Sequence, residues 1–200
     1  ARNGKGKARI YLYPKSAMLK AKAASLEGYV TINASAEDVI RKIYDLEDKV
    51  VKFYPKQIAE TTARIKGLET DIQTVKKYPK IEDKFHTMTI DGFGYFEKEK
   101  AGNALIERCK KMTSEEPVLI GDYRGFSMEL SFDGFQKNFY VSLVGARSYK
   151  VELGTDVFGN IQRIDNALEG LEKRLETAKA ELENINTQYE TAKVEAKRPF

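Results

Sequence analysis

Two hundred residues at 22.7 kDa, 42% hydrophobic and 32% charged, have the composition of a soluble globular chain and exclude wholesale disorder. No run reaches the roughly 18 uncharged apolar residues of a membrane-spanning helix, and no apolar core follows the basic N-terminus, so a cytoplasmic setting without a membrane partner is expected. One cysteine, Cys109, excludes an intrachain disulfide, and one histidine, His86, excludes a histidine-rich metal centre.

The net charge of +4 is unevenly placed. In residues 1–28, seven cations (Arg2, Lys5, Lys7, Arg9, Lys15, Lys20, Lys22) stand against Glu27, so this segment carries +6 and the rest −2. A basic segment over 1–34 can meet nucleic-acid phosphates, with Lys5, Lys7 and Arg9 as candidates, or acidic lipid surfaces, or can simply be solvated. Within it Ile10–Tyr13 suggests a short strand and Ala17–Leu26 a short helix. The chain opens on Ala1 and stops at Phe200 just after a helical pattern, which is expected of a fragment of a longer protein.

A first long helical arm is expected over 35–79. Ser35 with Asp38 is a candidate N-cap, and Val39, Ile43, Leu46, Val50 and Phe53 follow at spacings of three and four. Pro55 should kink or briefly break the helix near Tyr54, because proline lacks the N–H and crowds the preceding turn. Ile58, Ile65, Leu68, Ile72 and Val75 then resume the seam as far as Tyr78-Pro79.

Residues 80–160 change character, with aromatic, alternating runs bounded by glycine and aspartate, and read as an α+β head. A hairpin is expected from Phe85–Ile90 and Phe93–Phe96 about Asp91-Gly92. A helix over 97–112 follows, burying Ala101, Leu105, Ile106 and Cys109, where the thiol is a packed core group rather than a nucleophile. Strands at 118–123, 126–132, 138–144 and 148–153 should form an antiparallel meander, since Phe126, Met128, Leu130 and Phe132 alternate with polar residues.

The last segment, 161–200, carries Ile161, Ile164, Leu168, Leu171, Leu175, Ala178, Leu182, Ile185, Tyr189, Ala192 and Ala196 in heptad spacing, a second long helical arm. The expected architecture is therefore a small antiparallel β-meander plus helix, inserted between two long helices that form an antiparallel coiled-coil arm. The same seam serves pairing within one chain or between two, so a homodimer stays open.

Catalytic signatures leave visible marks, and these are missing: no phosphate-binding loop, no complete dinucleotide fingerprint, no Cys/His zinc spacing and no adenine-methyltransferase motif. Neither a catalytic residue nor a cofactor or metal is assigned. An enzyme reading would need Asp122, Glu129, Asp133 or His86 to converge in one pocket. For binding, Tyr123, Arg124, Lys137, Tyr140, Arg147, Tyr149 and Lys150 interleave rings and cations near the meander turns. Rings can stack on bases while cations hold phosphates, or the rings can complete a core while the cations keep the surface soluble. Tyr123, Arg124, Lys137, Tyr140, Arg147 and Lys150 are the candidate DNA contacts.

Three stretches carry a resemblance: Glu97-Lys98-Glu99-Lys100-Ala101-Gly102; Gly121-Asp122-Tyr123-Arg124-Gly125-Phe126 leading to Leu130-Ser131-Phe132; and Val151-Glu152-Leu153-Gly154-Thr155-Asp156 with Gly159-Asn160-Ile161, Arg163-Ile164-Asp165-Asn166-Ala167-Leu168 and the closing Lys197-Arg198-Pro199-Phe200. Over about residues 80–200 the chain resembles the C-terminal region of large Swi/Snf-type helicase or DNA methylase-like proteins of bacterial conjugative elements and phages. The resemblance implies a DNA-processing parent polypeptide whose nucleotide hydrolysis and methyl transfer lie outside this chain, and it supplies no catalytic residue here. It implies an accessory module that binds or positions DNA, or one that docks other domains of the parent through the helical arm.

Overall fold

A computed structural model describes residues 36–82, 84–114 and 116–197. Lys5, Lys7, Arg9, the strand and helix expected before residue 30, and the Ser35 cap lie outside them. By contacts the chain divides into two compact units, residues 62–180 on the one hand and 1–61 with 181–200 on the other.

Helix α1 spans Ala36–Asp48 and continues through a π-helical turn, Lys49–Phe53, into α2, Tyr54–Lys77. Of the kink or short break expected near Tyr54, the break is absent, and the irregularity there is the π-helical turn. Tyr54 N–H instead donates to Lys49 O five residues back. A widened turn carries a proline, which cannot donate and crowds the carbonyl four residues before it, without ending the helix. In the unit holding this turn, Ile43, Ile185, Ala192 and Ala196 are buried, and the Tyr54 and Tyr189 rings lie 5.7 Å apart.

Unit 62–180 holds a six-stranded antiparallel sheet. Its strands are β1 Met88–Ile90, β2 Phe93–Tyr95, β3 Val118–Tyr123, β4 Phe126–Asp133, β5 Asn138–Val144 and β6 Ser148–Leu153, in the order β2-β1-β3-β4-β5-β6. The fold is thus mixed α+β, and the meander runs as the alternation predicts. Asp91-Gly92 and Arg124-Gly125 each place both residues at positive φ (49° and 84°, 48° and 82°), the tight hairpin geometry whose twist matches that of the strands. Glycine at 121 is required for a different reason: a Cβ there would fall 1.8 Å from Thr89 O, in the register where Ile90 faces Gly121.

Helix α3, Lys98–Lys110, buries Ala101, Leu105 and Cys109 on the sheet. Its thiol is free and buried, and loss of solvent pushes it up to about 11, a packed group and a poor nucleophile. The single long helix expected from 161 is instead two, α4 Val157–Glu169 and α5 Leu171–Lys197, joined at Gly170. Helix α4 has its own start, because the Asp156 side chain accepts from Phe158 N and Gly159 N. Its stripe of Ile161, Ile164 and Leu168 joins Leu68 and Ile72 of α2, Phe126, Met128 and Leu130 of β4, and Leu105 in one core. Each such fully buried side chain contributes about 1.5–3 kcal/mol relative to exposure.

Every seam position named from Ile161 to Ala196 is buried or half-buried. Within unit 62–180, Lys76 Nζ lies 3.6 Å from Glu172 Oε1 and Lys179 Nζ lies 3.1 Å from Glu69 Oε1. Seven residues down α2 match seven up α5, so these stretches run antiparallel. No helix among the described residues is long and apolar enough to cross a membrane.

Candidate nucleic-acid interface

Two of the candidate contacts are turned inward. Tyr123 and Arg124, read from sequence as exposed partners of DNA, are 1% and 3% exposed. The Tyr123 hydroxyl donates to Asp165 Oδ1 at 2.8 Å. The Arg124 guanidinium meets Asp165 Oδ1 at 3.4 Å and Glu169 Oε1 at 2.7 Å, while its Nε donates to Tyr78 O at 2.9 Å. These groups tie the β3–β4 turn to α4 and to the end of α2, and they leave neither side chain a surface for phosphate.

A second buried carboxylate does similar work at the β5–β6 turn. Asp71 of α2, 1% exposed, accepts from Ala146 N at 2.7 Å, Arg147 N at 2.9 Å and the Tyr149 hydroxyl at 2.5 Å. Burial, reinforced by the neighbouring carboxylate in each case, pushes the Tyr123 and Tyr149 hydroxyls well above the usual phenol range. The folded chain thus favours the neutral phenols. Their contribution to stability is complete below pH of about 10 and falls as pH rises above it, where tyrosines of the unfolded chain ionise. In a spectrophotometric titration both should ionise only together with unfolding, and Tyr123→Phe and Tyr149→Phe should each remove one tyrosine's share of that late amplitude.

The remaining candidates separate. Tyr140 and Lys150 share the face of the sheet opposite the core, with Lys150 Nζ 4.0 Å from the Tyr140 ring centroid. The Tyr140 hydroxyl donates to Gln136 Oε1 at 2.5 Å, which links it to the β4–β5 turn. That turn holds exposed Lys137, at φ 56°, and Phe135, 97% exposed, and Asp133 caps it by accepting from Phe135 N and Gln136 N. Arg147 belongs to the turn at the other end of β5, where its side-chain methylenes lie over Gly67. Lys137 and Arg147 therefore lie in turns at the two ends of β5.

The open face also carries Asp122, Glu129 and Glu152, and Glu152 accepts from Asn138 Nδ2 at 3.0 Å. Cations and carboxylates alternate here, so any phosphate contact is narrow rather than a broad basic field. The acidic groups and His86 do not converge for catalysis: Asp133 caps its turn, and His86 Nε2–H donates to Pro79 O at 2.6 Å. Among the described residues no cluster of His, Cys, Asp and Glu is placed to hold a metal.

One feature escaped the sequence reading. A cleft of about 460 Å³ opens between hairpin β1–β2 and α3, walled by Ile90, Phe93 and Tyr95 on one side and by Lys100, Asn103, Ala104, Arg108 and Lys111 on the other. Arg108 Nε bonds Asp91 across it, at 3.2 Å to Oδ1 and 3.0 Å to Oδ2. The sequence signal was present in the cations Lys98, Lys100, Arg108, Lys110 and Lys111 around one helix. That they flank an uncovered ring depends on pairing of β2 at the sheet edge. No family model, curated protein or solved structure matches the chain.

Proposed function

We propose that the chain is a non-catalytic accessory module that positions DNA within a larger DNA-processing polypeptide of the helicase or DNA methylase-like kind. The observation that carries this reading is the Lys150–Tyr140 stack on the open face of the sheet, with the Tyr140 hydroxyl bonded to Gln136 of the turn that holds exposed Lys137 and Phe135. Cations hold phosphates and rings stack on bases without regard to sequence. The basic segment with Lys5, Lys7 and Arg9 adds charge that draws DNA from a distance, and the resemblance supplies the mobile-element context.

The test is fluorescence anisotropy of single-stranded, duplex and forked DNA across a salt series. The double variant Lys137→Ala/Lys150→Ala should weaken binding and make the slope of log affinity on log salt shallower by about 1.4, at about 0.7 per single-strand phosphate contact. An unchanged slope would remove this surface from the reading.

A second reading rests on the helices. The seam from Leu171 to Ala196 and the ion pairs Lys76–Glu172 and Lys179–Glu69 support an antiparallel coiled-coil arm built from the long helices α2 and α5, with α4 left to the sheet. Such an arm docks the module on other domains of its parent or on a second copy. Sedimentation equilibrium separates these: a concentration-dependent dimer favours the second copy, and a monomer at all concentrations leaves the parent's domains.

A further inference from the structure

We propose that the cleft between hairpin β1–β2 and α3 is the site where an unpaired strand of DNA is held, one base lying against Phe93 and Tyr95 and its flanking phosphates against Lys100 and Lys111. This rests on the DNA-positioning reading and moves its centre away from the meander turns.

Phe93 lies on β2, the edge strand of the sheet. In the β1–β2 register it stands opposite Ile90, so both side chains lie on the core side of the sheet, where α3 packs. Ile90 is 2% exposed under the helix, but Phe93, one strand further out, is 70% exposed. A ring on the core side of an edge strand, left uncovered by the helix beside it, is apolar surface that an inserted flat group can bury. Tyr95, half-buried two residues on, extends the same wall.

The opposite wall has the spacing of one helical stripe. Lys100, Asn103, Ala104, Glu107, Arg108 and Lys111 recur at three and four residues, so all lie along the side of α3 that lines the cleft. Lys100 and Lys111 stand eleven residues apart, about 16 Å at 1.5 Å rise per residue, at the two ends of the cleft. Ala104 between them is small and leaves room for a ring. Asn103 offers an amide donor and acceptor for a base edge.

The charges favour an anion. The cleft's carboxylates are each engaged by a cation: Asp91 by Arg108, and Glu107 by Lys110 at 2.8 Å. Lys100 is paired with exposed Glu97 at 2.6 Å and can exchange that partner for a phosphate. Residues 98–111 carry Lys98, Lys100, Arg108, Lys110 and Lys111 against Glu99 and Glu107, a net +3. The Arg108–Asp91 bridge ties the helix to the hairpin turn and so fixes the spacing of the two walls.

The occupant is a single strand rather than a duplex, because the face of a base reaches Phe93 only when that base is free of its stacked neighbours. Each base stacked on an aromatic side chain is worth about 1–3 kcal/mol, or roughly five- to 150-fold in affinity. The basic rim then sets the salt dependence.

The chain contains no tryptophan, so Phe93→Trp introduces a single local reporter at an exposed position. The full chain carrying this substitution is titrated with oligothymidylate, with duplex DNA of equal length and with thymidine monophosphate, following both tryptophan fluorescence and the anisotropy of labelled oligonucleotide. Quenching by oligothymidylate that saturates together with anisotropy, and is weak with duplex or mononucleotide, is the expected result. Phe93→Ala should then lower affinity by five-fold or more, and Lys100→Glu/Lys111→Glu by ten-fold or more at low salt. Anisotropy that reports binding with no quenching, or binding indifferent to these variants, overturns the cleft while leaving the DNA reading intact. Equal quenching by the mononucleotide overturns the strand in favour of a small nucleotide ligand, and no binding of any DNA by the wild-type chain overturns both readings.

Discussion

Replacing Asp165 by alanine is expected to lower the free energy of unfolding by about 3–5 kcal/mol, the cost of removing one partner from a buried ion pair. The Asp165 carboxylate is the shared acceptor of Tyr123 and Arg124. Its loss strands a guanidinium whose side chain is 1% exposed and leaves it the carboxylate of Glu169, itself 41% exposed. Chemical denaturation followed by circular dichroism measures the effect. The companion variants Arg124→Met and Arg124→Met/Asp165→Ala give the coupling: the double variant should be less destabilised than the sum of the single ones, because removing both charges leaves neither one buried alone. An additive double variant would mean that the pair contributes nothing beyond packing.

The second large effect is expected at Asp71. Asp71→Ala leaves Ala146 N–H, Arg147 N–H and the Tyr149 hydroxyl without their acceptor in a part-buried turn, and should cost about 3 kcal/mol, at roughly 1 kcal/mol for each lost bond. Tyr149→Phe removes only one of the three and should cost about 1 kcal/mol. Hydrogen exchange separates the contributions: Asp71→Ala should speed exchange at Ala146 and Arg147, and Tyr149→Phe should leave both amides protected. The two carboxylates have parallel roles. Each leaves a helix outside the sheet to close a turn of the meander, so both hold the frame on which the open face and the cleft are built, and neither faces a ligand.

The strands were legible because their signal is local. The alternation of Phe126, Met128 and Leu130 and the pairs Asp91-Gly92 and Arg124-Gly125 report a two-residue period and a positive φ within a few positions, and every strand but the first begins and ends within a residue of where it is expected, the first starting at Met88 rather than Phe85. The helical seam from Ile161 to Ala196 was equally plain, since burial at spacings of three and four needs no knowledge of the partner.

Other features were decided only in three dimensions. Nothing near Arg124 in the sequence says that it is buried, because the groups that neutralise it, Asp165 and Glu169, lie more than forty residues on and the carbonyl it bonds belongs to Tyr78. The seam looked continuous through Gly170, yet its first turns face the sheet as α4, because Asp156 caps a separate helix there. Arg147 and Lys137 are read together from the sequence, but strand β5 separates their turns at its two ends. The cleft is the clearest case: Phe93 reads as one more alternating aromatic, and only the position of β2 at the sheet edge, past the reach of α3, leaves its ring uncovered beside Lys100 and Lys111. Periodicity and turn chemistry are properties of neighbours along the chain, so the sequence by itself determined the elements. Burial and charge pairing are properties of neighbours in space, and the tertiary structure alone decided which cations and rings remain free to meet a ligand.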